Sequence, residues 1–137
     1  MYLTPSNSWP TQARVSSQSS LVAADTLAAD VTLLTLSCES VDVANYKLML
    51  ASIEQVLESG HRVILDLGSV SFMDSSGLGA LVSGTRTARR SGGEMAICSL
   101  TPDVRTLFEL VQLDKVVHVY NDRDEALRSL GLPPDTS

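Results

Sequence analysis

The chain has 137 residues, of which 44% are hydrophobic and 19% charged, and its formal net charge is −6. This length and apolar content suit one domain with its own core, without disulfides or a structural metal. The negative charge disfavours nucleic acid as a direct partner, because phosphate binding needs clustered Lys and Arg. No apolar run exceeds four residues, whereas a membrane-spanning helix needs about 20. We find no export signal, so we expect a soluble, cytoplasmic protein without membrane insertion.

The composition divides the chain into three parts. Residues 1–19 are rich in Ser, Thr, Pro and Gln and lack periodicity, which predicts a flexible N-terminal leader. Residues 20–131 carry the periodic apolar patterns of one folded domain. Residues 132–137 predict a short C-terminal tail.

Strand and helix patterns alternate along the predicted domain. In chain order we predict strands at 20–26 and 31–37, a helix at 43–59, a strand at 63–67, a helix at 75–91, a strand at 95–100, a helix from 101 to about 111, a strand at 116–120, and a helix from Asn121 or Asp122 to Gly131. The order β-β-α-β-α-β-α-β-α predicts an α/β fold. Its β-sheet is mixed but mostly parallel, with helices packed against it.

Local signals mark where the helices begin and end. Gly60 and the pair Gly92–Gly93 end the first two helices. Thr101-Pro102-Asp103 predicts a helix start, in which Thr caps, Pro takes the first helical position and Asp meets the positive end of the helix dipole.

The helix at 75–91 has an unusual surface. At 100° per residue its core side carries Leu78, Leu81, Val82 and Thr85. The opposite side is small and uncharged, and carries Ser76, Gly79, Ala80, Ser83 and Thr87. An interior glycine costs about 1 kcal/mol relative to alanine. We attribute the glycine at position 84 to close packing inside the domain, and the outward glycine at position 79 to the close approach of a second protein.

Ser75 and Ser76 lie at the start of this helix. One of them is expected to cap it by accepting a hydrogen bond from a backbone N–H. An exposed serine pair here is also a candidate phosphorylation site. A phosphate adds about −1.5 to −2 charges, which the positive end of the helix tolerates.

This strand-to-helix turn partly resembles two known motifs, the serine hydrolase elbow and the dinucleotide-binding loop. The hydrolase elbow Gly-x-Ser-x-Gly lacks its first glycine, and the histidines His61 and His118 lie at or in predicted strands. Gly77-Leu78-Gly79 has Val82 where a dinucleotide motif needs its third glycine. We therefore expect no enzyme, while weak nucleotide binding at the helix start stays an alternative.

No metal or cofactor is indicated. Cys38 and Cys98 stand outside any Cys/His ligand spacing, and Cys98 lies in an apolar run typical of a buried small hydrophobe. Asp122, Asp124 and Glu125 near the last helix are explained as surface charge that compensates the helix dipole.

The segment from Val70 to Gly79 resembles the signature of the STAS domain, particularly that of bacterial anti-sigma factor antagonists. The stretches Gly92–Met95 and Thr101–Phe108 match as well, and the resemblance covers residues 21–130. The family often has a Gly-Glu-Leu-Asp-like segment after its second strand. Here the glycine is absent, and the acidic residues of that stretch are Glu39 and Asp42.

The resemblance implies a mechanism called partner switching. The unmodified antagonist binds an anti-sigma factor that is also a serine kinase of the histidine-kinase-like ATPase type. Phosphorylation releases it, and a PP2C-type phosphatase resets the cycle. Carried over by position, Ser75 is the phosphate acceptor. The docking surface then comprises Asp74, Ser76, Gly77, Leu78, Gly79, Ser83, Glu39 and Asp42. The alternative within the same family is a STAS scaffold module that is indifferent to phosphorylation.

Overall fold

A computed structural model describes residues 21–133. Its strands are β1 (Val22–Ala28), β2 (Val31–Leu36), β3 (Ser40–Val41), β4 (Arg62–Asp66), β5 (Phe72–Met73), β6 (Met95–Cys98) and β7 (His118–Tyr120). Its helices are α1 (Tyr46–Glu58), α2 (Ser75–Ser91), α3 (Pro102–Leu110) and α4 (Arg123–Ser129). The predicted leader and residues 134–137 of the predicted tail lie outside the described residues.

The main sheet has five strands in the order β1-β2-β4-β6-β7. β1 pairs antiparallel with β2 through a tight hairpin, and every other neighbouring pair in this sheet is parallel. Parallel neighbours need a crossover, and the intervening helices supply it. The predicted class, an α/β fold with a mixed and mostly parallel sheet, is confirmed.

Helices cover both faces of this sheet. Alternate residues of β2 enter different apolar clusters: Leu34 and Leu36 join one, whereas Val31 and Leu33 join the other. The larger cluster includes the buried sides of α1, α2 and α3, while Ala126 and Leu127 of α4 close the smaller one. Because successive strand residues point to opposite faces, a central strand buried on both sides is apolar throughout.

The short strands β3 and β5 were not predicted. They pair with each other in parallel, Ser40 with Phe72 and Val41 with Met73, and form a separate two-stranded sheet. Each has two residues, too few to show an alternating pattern. Their pairing holds the loop after β2 against the entrance to α2.

Several predicted boundaries were wrong by a few residues. α1 begins at Tyr46 rather than at 43, β6 ends at Cys98, and β7 begins at His118 rather than at Val116. A 3₁₀ turn at Leu113–Lys115 precedes β7, which therefore starts later than predicted. Gln112, just before this turn, has the left-handed conformation with φ 59°. This turn leaves Val116 outside the strand.

The start and end of α3 differ from the prediction in detail. Thr101 takes the cap position and Pro102 the first helical position, as predicted, but the Thr101 hydroxyl makes no capping bond. It donates instead to the carbonyl of Val70 at 2.8 Å, which fastens α3 to the loop before β5. The helix was predicted to reach about residue 111, but it ends at Leu110, and Val111 at its C-terminal cap is 51% exposed.

Leu132 belongs to the folded domain rather than to a loose tail. Its N–H donates to the carbonyl of Leu127 at 2.9 Å, and its side chain packs on the smaller apolar cluster. Gly131 has φ 80°, which allows the chain to turn back after α4.

A buried carboxylate connects α4 to the middle of the sheet. Asp66 ends β4 and is only 8% exposed. It accepts hydrogen bonds from Arg123 Nε at 2.7 Å and from the backbone N–H of Gly68 at 2.8 Å. Arg123 is the first residue of α4, directly after the cap Asp122, so this ion pair holds the start of that helix against the end of β4.

Replacing Arg123 with methionine is expected to destabilise the fold by about 1–3 kcal/mol, because Asp66 loses its cationic partner while it stays buried. Equilibrium unfolding in urea measures the difference. Arg128→Met, on the exposed side of the same helix, serves as the control and should change stability by no more than about 0.5 kcal/mol. Equal losses in the two variants would show that the ion pair contributes nothing specific.

Candidate functional site

Asp74 caps helix α2. Its Oδ1 accepts hydrogen bonds from the backbone N–H groups of Ser76 at 2.8 Å and Gly77 at 3.2 Å. The expectation that Ser75 or Ser76 caps the helix was therefore wrong. A carboxylate is an equally good cap and adds a favourable charge at the positive end of the helix.

The second oxygen of Asp74 holds the loop after β3. Asp74 Oδ2 accepts from the N–H of Val43 at 3.1 Å, and the Asp74 N–H donates to the carbonyl of Val41 at 3.1 Å. Within the loop, the Asp42 N–H donates to Asn45 Oδ1 at 2.9 Å. This places Asp42 beside the start of α2, where the family resemblance predicted an acidic residue.

The side chain of Ser75 does not contribute to holding the fold together. It is exposed in the first position of α2, and within residues 21–133 no hydrogen bond involves its hydroxyl group. Ser76 is half-buried, and its N–H is bonded to Asp74. Of the two serines, Ser75 is the more exposed to an incoming protein.

The outward side of α2 is narrower than predicted. Gly79 is exposed, and a Cβ added to it would meet nothing within 4 Å. Ser83 and Leu78 are half-exposed on either side of it. We call Ser75, Gly79, Leu78 and Ser83 the α2 ridge.

Two residues that were predicted to face outward are in fact buried. Ala80 is 3% exposed and lies in the larger apolar cluster, and Thr87 is 6% exposed. The Thr87 hydroxyl donates to Glu54 Oε2 of α1 at 3.4 Å. Helix α1 packs along α2. It therefore covers part of the side of α2 that lacks large apolar residues and that a helical wheel places in solvent.

Gly77 is a packing residue rather than a surface residue, which corrects its predicted place in the docking surface. A Cβ there would stand 2.6 Å from Met73 Cγ and 3.0 Å from the carbonyl oxygen of Val41. Only glycine lets α2 begin this close to β3 and β5. Gly84 also packs closely, since its Cβ would lie 3.0 Å from Met95 Sδ, as predicted.

Two exposed apolar residues next to this site were missed. Val43 exposes 74% of its surface and Phe72 exposes 56%. Phe72 N–H is bonded to the carbonyl of Glu39, whose side chain is exposed. Periodicity could not reveal this pair, because each residue belongs to a short irregular stretch. The only available signal was that Phe72 stands two residues before Asp74, the first residue of the Asp-Ser-Ser-Gly turn.

At the far end of α2 the surface becomes positive. Arg86, Arg89 and Arg90 are exposed, and α2 contains no acidic residue. Arg90 also reaches back to the Thr87 hydroxyl at 3.3 Å. The helix thus has Asp74 and Asp42 at its start and three guanidinium groups at its end.

The structure does not support a serine hydrolase. Both histidines lie at the amino-terminal ends of parallel strands, His61 immediately before β4 and His118 as the first residue of β7. Ser75 begins α2, after the carboxyl-terminal end of β5. Within residues 21–133 no hydrogen bond joins either histidine to Ser75, so a nucleophile–base pair is not formed.

The described residues offer neither a metal site nor a reactive thiol. Between residues 21 and 133, no three His, Cys, Asp or Glu side chains are arranged to hold a metal ion. Burial raises the pKa of the Cys98 thiol to about 11, so it stays neutral and unreactive at pH 7. In the same range, no helix is long and apolar enough to cross a membrane.

A family model for the STAS domain matches residues 26–126. The chain belongs to the STAS domain family. The resemblance inferred from the segment Val70–Gly79 is thereby confirmed. The anti-sigma F factor antagonist of Paenibacillus polymyxa is 37% identical over 68 residues, which cover 50% of this chain and 58% of that relative. The match therefore spans little more than half of that antagonist's length.

Solved structures show the same STAS fold. An anti-sigma factor antagonist from Mycobacterium paratuberculosis gives a TM-score of 0.71 at 22% identity, covering 80% of this chain and 92% of that one. The Bacillus cell fate determinant SpoIIAA, solved in its phosphorylated form, gives 0.61 at 20% identity, covering 80% and 98%. A sulfate transporter family protein from Wolinella succinogenes gives 0.67 at 14% identity, covering 78% and 89%.

Two glycines of this STAS domain should respond oppositely to the same substitution. Gly77→Ala is expected to cost about 1–3 kcal/mol, because its Cβ overlaps Met73 and Val41. Gly79→Ala should raise stability by up to about 1 kcal/mol, since alanine favours the helix and the space is open. Urea unfolding of both variants measures the contrast, and a similar stability change in the two would refute the packing assignment.

Proposed function

We propose that this STAS protein is an anti-sigma factor antagonist that controls transcription by partner switching, with Ser75 as its phosphorylation site. In the unmodified state it binds an anti-sigma factor that is also a serine kinase of the histidine-kinase-like ATPase type, and so frees a sigma factor. Phosphorylation of Ser75 weakens this complex, and a PP2C-type phosphatase restores it. The protein acts in the cytoplasm as a binding module rather than as an enzyme.

The proposal rests on the different roles of Asp74 and Ser75: Asp74 makes the structural bonds at the start of α2, and the side chain of Ser75 makes none within the described domain. Asp74 supplies both the helix cap and the bond to the loop at Val43. Ser75 is exposed and its hydroxyl has no structural role in the described residues. A kinase can therefore modify Ser75 without removing a bond on which the fold depends.

Charge then explains how the modification weakens a complex. A phosphate brings about −1.5 to −2 charges to a position beside Asp74 and Asp42. The positive end of α2 offsets this by about 0.3–1 kcal/mol, so we expect the fold to survive. A partner resting on the α2 ridge has no such compensation. It would meet both the bulk of the phosphate and a concentrated negative charge.

The relatives add independent support. Several are named anti-sigma factor antagonists, including the one at 37% identity, and SpoIIAA, which shares the fold, has been solved in a phosphorylated form. The antagonist role and the phosphorylated state are properties of those proteins, and we extend both to this chain.

Weak nucleotide binding is disfavoured by the geometry at the start of α2. A helix N-terminus attracts phosphate through its free N–H groups. Here the N–H groups of Ser76 and Gly77 are already bonded to Asp74. A nucleotide would have to displace this carboxylate and approach its negative charge.

A second candidate is a STAS module that docks without regulation by phosphate. The likeness to a sulfate transporter family protein favours this alternative, because that protein has the same fold. This alternative predicts complexes whose affinity is independent of the chemistry at Ser75.

Incubation with the cognate kinase and ATP should add one phosphate to the wild type and none to Ser75→Ala, as measured by intact-protein mass spectrometry. Ser76→Ala is the matched control and should still be modified. Phosphate on Ser75 is expected to weaken the complex at least about tenfold, equivalent to 1.4 kcal/mol. Ser75→Glu should reproduce this only in part, because a carboxylate has less charge than a phosphate.

If Ser75→Ala were phosphorylated as fully as the wild type, the site assignment would be wrong. If phosphorylation at Ser75 left the affinity unchanged, the unregulated STAS module would be the better account.

A bulky residue on the α2 ridge should block docking without unfolding the protein. Gly79→Leu fills open space, so we expect unchanged or higher stability and at least about tenfold weaker binding of the anti-sigma factor by calorimetry. Ala51→Leu adds bulk at an exposed position of α1 and should leave binding intact. Undiminished affinity of Gly79→Leu would exclude the α2 ridge as the docking surface.

A further inference from the structure

A pocket of about 260 Å³ lies between the β1–β2 hairpin and the last turn of α1. Helix α1 packs mainly on β2, β4 and α2, so β1 lies at the edge of the area that the helix covers. The β1 residues that line the pocket, Ala24 and Thr26, are small, and Val56 of α1 lines it as well. Small side chains at the edge of a helix leave this space open.

Thr32 of β2 is the most buried polar residue of the pocket. It is only 9% exposed, and it alternates in register with Leu34 and Leu36, which enter the larger apolar cluster on the same face. Its hydroxyl group has no hydrogen-bond partner anywhere in residues 21–133. By contrast, the buried hydroxyl of Thr85 donates to the carbonyl of Leu81 at 3.0 Å. An unpaired buried hydroxyl is unfavourable, so Thr32 is the group that a ligand in this pocket would satisfy.

Three further polar side chains line the pocket around Thr32. They are Gln55 and Ser59 at the end of α1 and His61 just before β4. None of the three donates or accepts a side-chain hydrogen bond within the described part of the chain. Hydroxyl, amide and imidazole groups together offer both donors and acceptors. The lining contains no Asp, Glu, Lys or Arg, so a charged ligand would be desolvated there without a counter-ion.

The pocket is separate from the α2 ridge. A side chain at Gly93, directly after α2, would collide with the carbonyl of His61, so the His61 end of the pocket lies near the end of α2. Ser75 stands at the start of the same helix, whose 17 residues span about 25 Å. A ligand in the pocket would therefore leave Ser75 accessible.

We propose that this pocket binds a small, neutral polyhydroxy compound, of the size of a single sugar or cyclitol ring, through the Thr32 hydroxyl and the polar groups of Gln55, Ser59 and His61. Hydroxyl groups of such a compound both donate and accept, as the lining does. The C–H face of its ring would contact Ala24 and Val56. The volume is slightly below the ~300–1,000 Å³ of typical ligand pockets, which limits the ligand to about one ring.

Titration of the full-length chain with glucose and with myo-inositol, followed by two-dimensional amide NMR, tests this proposal. At least one of the two should produce saturable shifts at amides around Thr32, Ser59 and His61, with half-saturation at or below about 10 mM. Thr32→Val keeps the shape of the side chain but removes the hydroxyl, and should weaken binding about fivefold. Its unfolding in urea should show no loss of stability, because that hydroxyl has no partner.

Thr85→Val is the matched control. It also removes a buried threonine hydroxyl, but one that is bonded inside α2 and lies outside the pocket. We expect this variant to be less stable than the wild type and to bind the sugar or cyclitol with unchanged affinity.

Shifts that stay linear up to about 100 mM of both compounds, or equal affinity in the wild type and Thr32→Val, would overturn the proposal. Tighter binding of a glucose phosphate ester or of adenosine than of glucose would also overturn it, because the ligand would then be anionic or aromatic. Ser75→Ala should bind as the wild type does. Because no kinase or anti-sigma factor is present, these results are independent of the proposed function.

Discussion

The site depends on the bonds that Asp74 makes in two directions. One carboxylate oxygen closes the first turn of α2, and the other holds the backbone of the loop at Val43. A helix cap contributes about 1 kcal/mol, but its larger effect here is positional. The same side chain decides where α2 begins and where the acidic loop stands relative to it. Ser75 is thereby presented on a fixed surface.

Close packing makes this arrangement possible. Gly77 lets the first turn of α2 lie directly on Met73 and Val41, where any larger residue would collide. The parallel pairing of β3 with β5 supplies the surface on which the turn rests. A helix that begins on a strand pair rather than in a free loop can present an exposed hydroxyl group without local disorder. The small residues of α2 therefore serve two purposes, packing at Gly77 and Gly84 and exposure at Gly79.

The sequence predicted the parts of the fold that repeat regularly. Apolar strands such as β4 and the periodic helix α1 identified the α/β class, and the segment Val70–Gly79 identified the family. The strands β3 and β5 were missed because two residues show no period. The buried positions of Ala80 and Thr87 were missed because a helical wheel contains no information about the neighbouring helix α1.

The candidate site, like the fold, was predicted only in part. The turn chemistry pointed to the serine pair, and the family resemblance selected Ser75 from it. The cost of an exposed glycine pointed to Gly79, and both Ser75 and Gly79 are exposed. The cap was assigned to a serine because Ser, Thr, Asp and Asn are all good caps, and only the helix boundary distinguishes between them. Val43 and Phe72 could not be found, since their exposure results from tertiary packing and not from their spacing.

The distribution of charge along α2 has a kinetic consequence. Acidic side chains lie at one end of the helix and three arginines toward the other. At a rise of 1.5 Å per residue, Asp74 and the arginines are about 18–24 Å apart along the axis. This separation exceeds the screening length of about 8 Å at physiological salt, so an approaching molecule senses the two ends independently. Charge added at one end would change the orientation in which collisions occur as well as the lifetime of the bound state.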